Sequence, residues 1–555
     1  MQPDRLAAFD DGRTPRDGSG GTPVTIVHGP RIETLTAARP DALAIADGRI
    51  LAHGSEDALL LRFPRAEVRR VEGELIVPGF NDAHIHPWFA AETAARVDLS
   101  GTTTPDGAIA ALRQAATKAD DGEWVVAAGY SVPNDPSRRL DRTVLDQVST
   151  NNPIYVIASN WHAAVVNSAG LRLLDREGVL GLPGGHADRD EHGDLDGWIY
   201  ESVHMEAVWG ATQRPPILPL LPRQVLADSL RRQLRLLNSH GTTSFTDALV
   251  TPAGLEAYDL LRRQHALTAR VNVAVWHRYR DLVQGLGLSS GFGDEWLRLA
   301  GVKLMYDGAI TGGTCMCADP YDSATGTGNG LQVLSREELT EIVTDLHAHG
   351  IRACVHANGD AAIDDVLTAV QSAQAEHPEI KLNHRIEHCS LLPDAQLAKV
   401  RNLGVTPVPF AGFIRYHGPA LVARYTHDRV EQLARHGSLI AAGVHVAGSS
   451  DYPCAPISVL DGLESLTRRE TADGRVIGAQ ERISLREALW VYTAGSAYAT
   501  GEAHFKGRLT PGFAADFVVL DRDIFKAGTD WARQTSVLST WTAGTPVWAA
   551  GDEGS

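Results

Sequence analysis

The chain has 555 residues, 43% hydrophobic and 21% charged, which is a soluble globular composition too long for one compact core. Its net charge of −17 argues against nucleic acid or an anionic membrane surface as the main partner. The five cysteines are scattered, which excludes a disulfide framework and fits a reducing cytoplasm.

The first residues, MQPDRLAAFDDGRTPRDGSGG, lack the apolar core of a secretory signal. Residues 1–22 are expected to form a disordered arm. No apolar run approaches the ~20 residues a membrane helix needs, so no membrane association is expected. Next come VTIVHG, DALAIADGRILAHGS and VEGELIVPGF, short β-prone runs with Asp47-Gly48 as a hairpin signal. At the far end KGRLTPGFAADFVVLDRD and TPVWAAG read the same way. Residues 23–77 and 505–555 therefore predict one composite β-sandwich built from both chain ends.

Between them, residues 78–504 alternate short apolar strands with amphipathic helical windows, many closed by glycine. The strand candidates are LIVPGF, TTSFT, RVNVAV, VKLMY, IRACVH, HRIEH, GVTPV and VHVAG. Eight strands in this rhythm predict an α/β fold, a (β/α)8 TIM-type barrel. One spacing is irregular: about 150 residues separate the first strand from GTTSFTD, far beyond a normal βα loop. That stretch holds its own β-like pieces, WVVAAGY and IYVIAS. Residues 88–235 are expected to form an insertion that caps the barrel mouth.

The chemistry concentrates at predicted strand ends. In PGFNDAHIHP, His84 and His86 are two residues apart and project to the same side of a strand. Alone, such a pair is equally an ordinary set of core or solvated histidines. Other strands add to it: Lys303 in VKLMYDG, His356 in IRACVH, His388 in HRIEH and Asp451 after VHVAGSS. A barrel delivers the C-terminal ends of its strands to one mouth. Imidazoles and a carboxylate there suit a divalent cation such as Zn(II). Lysine is the odd member, because an ammonium repels a cation.

Taken together, PGFNDAHIHP, NWHAAVVNSAGL, VKLMYDGAITGGT, ADPYDS, VHANGDAAID, RIEHCS, GSSDYP and KGRLTPGFAADFVVLD resemble the amidohydrolase superfamily. Within it the chain is similar to the amidohydrolase-3 (YtcJ-like) group, which includes N-substituted formamide deformylases. The resemblance runs from about residue 24 to residue 525. It implies that His84 and His86 bind one metal and that His356 and His388 bind a second. It further implies that Lys303 is N6-carboxylated, an anion bridging the two ions; an unmodified lysine would leave a one-metal site. Asp451 would touch the first metal and act as general base. His162, Trp88, Asp307, Thr311 and Phe413 are implied or suggested pocket residues, with Tyr130 and Thr314 as further wall candidates. Asn167 is as well explained by helix capping, and Glu201 is either an acid behind the site residues or a helix-start carboxylate, the latter favoured. Cys315 and Cys317 form a CxC that reads as small reduced thiols. Pro407 and Pro409 depart from the glutamine-proline usual after the seventh strand.

The function expected is metal-dependent hydrolysis of a C–N bond in an amide, N-substituted formamide or carbamate-like small molecule. Ester or lactone hydrolysis, deamination or a non-hydrolytic reaction on the same scaffold is the alternative, and a non-catalytic scaffold protein the third reading. A homodimer is compatible with the sequence.

Overall fold

A computed structural model of the protein describes residues 23–102, 104–132, 139–159, 161–320, 328–528 and 531–551. The expected arm, residues 1–22, lies outside the described residues. Seven parallel strands form the central sheet: Phe80–Ile85, Thr242–Val250, Arg270–Trp276, Leu297–Met305, Ala353–Ala357, Arg385–His388 and Thr406–Pro409. Each pairs with the strand before it in the chain, the order of a (β/α) barrel. The strands are buried along nearly their whole length, as in a sheet covered on both faces.

Two of the expected strands are corrected. VHVAG is not a regular strand; it closes the ring with single bonds, Ala447 N to Pro407 O at 3.1 Å and Ala83 N to Gly448 O at 2.9 Å. The reason lies in the seventh strand. Pro407 presents its carbonyl to this segment but has no N–H to return, and Pro409, two residues on, repeats the defect. LIVPGF is divided between two sheets. Leu75–Pro78 pairs antiparallel with Phe517–Leu520, and the barrel strand begins at Phe80. Gly79 makes this handover possible, since a Cβ there would lie 2.1 Å from Thr243 Oγ1.

The helix Arg336–Ala348 shows how the outer layer forms. Ser335 and Glu338 make a reciprocal capping box at its start. Leu339, Ile342, Val343 and Leu346 follow at the spacing of one helical face and are buried against the barrel. Each such side chain contributes roughly 1.5–3 kcal/mol on burial.

Both chain ends build four-stranded sheets. One contains Thr25–His28, Ala42–Ala46, Arg49–Gly54 and Glu67–Arg70; the other contains Leu75–Pro78, Phe517–Leu520, Val537–Thr542 and Thr545–Ala549. Ile45, Ile50, Ile76, Phe517 and Trp541 share a core between them. Asp47 and Gly48 both have positive φ, 50° and 73°, as a two-residue hairpin turn requires.

The segment after the first barrel strand carries a six-stranded sheet, in the order Gly185–Arg189, Leu195–Glu201, Ala163–Val166, Ile154–Ala158, Val125–Tyr130, Val97–Asp98. The boundary expected at residue 235 falls inside the helix Arg223–Ser239, which packs on the second barrel strand and the helix that follows it. Among the described residues, no helix is long and apolar enough to cross a membrane.

Candidate active site

Strand alternation brings Asp82 and His84 to one side of the first strand, with His86 continuing beyond its end. The turn carrying Asp451 is fastened to this strand. Asp451 N donates to His84 O at 3.1 Å, and His86 N to Tyr452 O at 2.7 Å. Ser449 Oγ also donates to His84 O. Asp82 accepts from Ser450 N at 3.1 Å, and its burial raises the carboxyl pKa to about 7. Asp451 Oδ1 then stands 3.4 Å from His86 Nε2 and 3.7 Å from His84 Nε2. Potential ligand atoms of these three residues lie within 4.8 Å of one another, close enough to share one metal ion.

His356 and His388 adjoin this trio, with ring centroids 4.2 Å apart; His388 is 5.2 Å from His84. His388, Cys389 and Asp451 are non-glycine residues with φ of 68°, 43° and 62°. Such backbone costs about 1–3 kcal/mol per residue and gathers at functional sites. Lys303 completes the floor, 1% exposed, and burial lowers its pKa to about 8 against the pull of Glu387 and Asp451. All six expected ligands line one cavity of ≈ 200 Å³.

Behind the ligands stands a residue that the sequence reading did not single out. Glu387 Oε2 accepts from His84 Nδ1 at 2.5 Å, which leaves Nε2 to face the cavity. Arg385 grips the same carboxylate, Nε to Oε1 at 2.7 Å and Nη2 to Oε2 at 2.9 Å. Arg385 and Glu387 are two apart on one strand and fully buried inside the barrel, and that spacing in HRIEH was the available signal. The left-handed backbone at His388 lets this residue, next in the chain to Glu387, face the cavity as well.

The cap contributes His162, whose Nδ1 lies 3.0 Å from Glu201 Oε2. Burial alone would lower the His162 pKa, but Glu201 and Asp451 outweigh it and the net shift is upward. His162, Thr311 and Phe413 line the cavity. Trp88 does not: it is a core residue, its Nε1 donating to Leu249 O at 2.5 Å. Asp307 is not a lining residue either. It accepts from Met316 N and Gly359 N at 3.0 and 2.9 Å and holds the loop behind His356. Tyr130 packs in the core of the inserted sheet, Asn167 caps the helix Ser168–Arg176, and Thr314 Oγ1 accepts from Ala309 N. Glu201 stands at the start of the helix Ser202–Trp209 but makes no side-chain cap; its carboxylate holds His162 instead, so the favoured capping role gives way to that of an acid behind a site residue. Cys315 and Cys317 are buried, unbridged thiols. Phe89, Trp161, Met205, Trp209, His417 and Cys454 also line the cavity. Their sequence signals were those of ordinary core residues.

Burial is the largest influence on His84, His86, His356 and His388, and it lowers the pKa of each. Neutral imidazoles keep the lone pairs that bind cations. The same shifts set an acid limit. In the unfolded chain these histidines take up protons below about pH 6.5, and in the folded chain they resist, so stability falls as pH falls. Urea unfolding of chelator-treated protein should show a midpoint dropping between about pH 7 and pH 5. Replacing His356 and His388 with Asn should flatten that slope; an equally steep slope in the variant would remove these histidines as its source.

The amidohydrolase family model matches residues 71–548. The chain is 27% identical over 515 residues to the N-substituted formamide deformylase of Arthrobacter pascens, covering 91% of this chain and 94% of that one. It is 26% identical over 517 residues to YtcJ of Bacillus subtilis (strain 168), covering 90% and 94%. An uncharacterized metal-dependent hydrolase from Pyrococcus horikoshii OT3 superposes with a TM-score of 0.74 at 26% identity, over 91% of this chain and 98% of that one. The chain belongs to the amidohydrolase family and is a hydrolase of the metal-dependent amidohydrolase superfamily.

Proposed function

We propose that the enzyme hydrolyses a C–N bond in an amide, N-substituted formamide or carbamate-like small molecule, with Asp451 as general base. The observation that supports this most is the convergence of His84, His86 and Asp451 within 4.8 Å of one another on the cavity floor. The residues fit a cation. His86 Nδ1 and His388 Nδ1 are buried without a hydrogen-bond partner among the described residues, and all four imidazoles are held neutral by burial. His84, His86 and Asp451 would hold one ion; His356, His388 and a carboxylated Lys303 would hold or share a second. A divalent cation, Zn(II) by its donor set, supplies a potent nucleophile at neutral pH and polarises the scissile carbonyl.

The chain's own groups do the rest. Asp451 takes the proton of the attacking water and returns it to the departing nitrogen, the step that otherwise limits C–N cleavage. Glu387 keeps the His84 proton on Nδ1 and its lone pair on Nε2. The lowered pKa of Lys303 leaves more of it as free amine, the form that combines with carbon dioxide. The carbamate removes a cation from the floor and adds two acceptor oxygens. The similarity to the Arthrobacter pascens N-substituted formamide deformylase favours the C–N reading over the ester or lactone alternative.

The test is a hydrolysis screen of N-substituted formamides, acyl amides, carbamates and lactones, with metal analysis of the same sample. Turnover of at least one amide-type class by metal-containing protein is expected. Lactones cleaved with every amide-type compound untouched would overturn the reading.

A further inference from the structure

The cavity has two halves of different character. Its floor is the metal site. Its upper wall is a slab of rings: Phe89 from the helix Pro87–Ala94, Trp161 from the connection between the strands Ile154–Ala158 and Ala163–Val166, and Trp209 from the end of the helix Ser202–Trp209. Phe89 lies 4.7 Å from Trp161 and 4.9 Å from Trp209, at interplanar angles of 22° and 10°. The same ring orientation continues onto a floor residue, since His86 stacks on Phe89 at 4.8 Å and 6°. Met205, Leu249 and Ile310 add apolar lining.

We propose that this wall is a subsite for a flat, uncharged substituent, an aromatic ring or an equivalent planar apolar group, attached beside the scissile bond of the substrate. The proposal rests on the hydrolytic reading of the floor and names the substrate class for it. Three observations select this occupant. First, nearly parallel rings match a planar group that joins the stack, and offset stacking at 4.5–7 Å is the favoured geometry of aromatic pairs. A cage for a quaternary ammonium surrounds its guest with ring faces, and here the rings share one orientation. Second, among the described lining residues Asp451 and Lys303 are the only carboxylate and ammonium, and no arginine lines the cavity. Lys303 lies on the floor and His162 is already paired with Glu201, so a carboxylate on the substituent would be buried at the wall without a cation of its own, which is costly. Third, the cavity of ≈ 200 Å³ suits one ring with a small reacting group. A protein cavity of ~150 Å³ accommodates benzene.

Binding and turnover test this separately. Chelator-treated protein is titrated by calorimetry with a neutral aryl amide, an n-alkyl amide of equal carbon number, and the aryl amide carrying a carboxylate or an ammonium. The neutral aryl amide should bind at least about tenfold more tightly than the others. Trp209→Leu and Phe89→Leu should each reduce that preference about three- to tenfold, with folding checked by circular dichroism. If either variant fails to fold, the ligand series on the wild-type protein decides alone. Equal affinity for aryl and alkyl amides, or tighter binding of a charged ring, overturns the proposal. Aryl preference in binding, with no amide, formamide or carbamate turned over by the metal-loaded enzyme, supports the subsite and sinks the C–N reading. Equal kcat/KM on aryl and alkyl amides keeps the C–N reading and overturns the subsite.

Discussion

Asp451→Asn should lower kcat by about a thousandfold while the protein stays folded and keeps most of its metal. General-base catalysis by a positioned side chain contributes typically 10²–10⁴-fold, and an amide cannot take the proton. The change is otherwise conservative at this position. Asp451 has a φ of 62°, and asparagine is among the few non-glycine residues that accept such backbone readily. The turn is held by Asp451 N on His84 O and by Ser449 Oγ, and neither bond involves the carboxylate. The remaining amide oxygen keeps a neutral lone-pair ligand atom beside His84 and His86. The measurement is turnover and metal content on one preparation. Turnover within tenfold of wild type would remove the base role. Loss of metal together with turnover would instead mark Asp451 as chiefly a ligand.

This prediction was within reach of the sequence because barrel topology does most of the work. Residues as distant as His84 and Asp451 share a site only because parallel strands end at one mouth. The proposed ligands could be read off as polar residues ending apolar runs. The supporting residues could not. Glu387 and Arg385 look like any charged pair in a short strand, and only the three-dimensional fold shows them inside the barrel against His84. Trp88 and Phe89 are neighbours with the same sequence appearance, yet Trp88 turns into the core and Phe89 faces the cavity. A one-residue rotation along the helix Pro87–Ala94 decides this, and that helix has no polar face to signal it. The eighth strand failed for a reason visible in retrospect: the prolines that prevent a regular ladder lie in its neighbour, not in VHVAG itself.

The second large effect concerns the residue hidden from the sequence. Glu387→Gln should weaken metal binding about ten- to a hundredfold, the usual consequence of losing an outer carboxylate behind a ligating histidine. It should also destabilise the fold by about 3–5 kcal/mol, because Arg385 keeps its charge in a buried site after its partner's charge is gone. In the wild-type protein burial pulls the Arg385 pKa down, but Glu387 outweighs it and the guanidinium is held charged. The two defects have different origins and can be separated. Adding Arg385→Met to Glu387→Gln removes the unpaired charge and should recover much of the stability, although Arg385 Nη2 also donates to Ala83 O at 2.6 Å. It should recover none of the metal affinity, since His84 Nδ1 still lacks its carboxylate. Urea unfolding of chelated protein reads the first quantity and competition with a metal indicator reads the second. Metal affinity unchanged in Glu387→Gln would mean that the Glu387–His84 bond only packs the barrel interior. Affinity restored in the double variant would place the effect in the charge of Arg385. Affinity lost in both, with stability rescued in one, is the pattern of a carboxylate that orients a ligand.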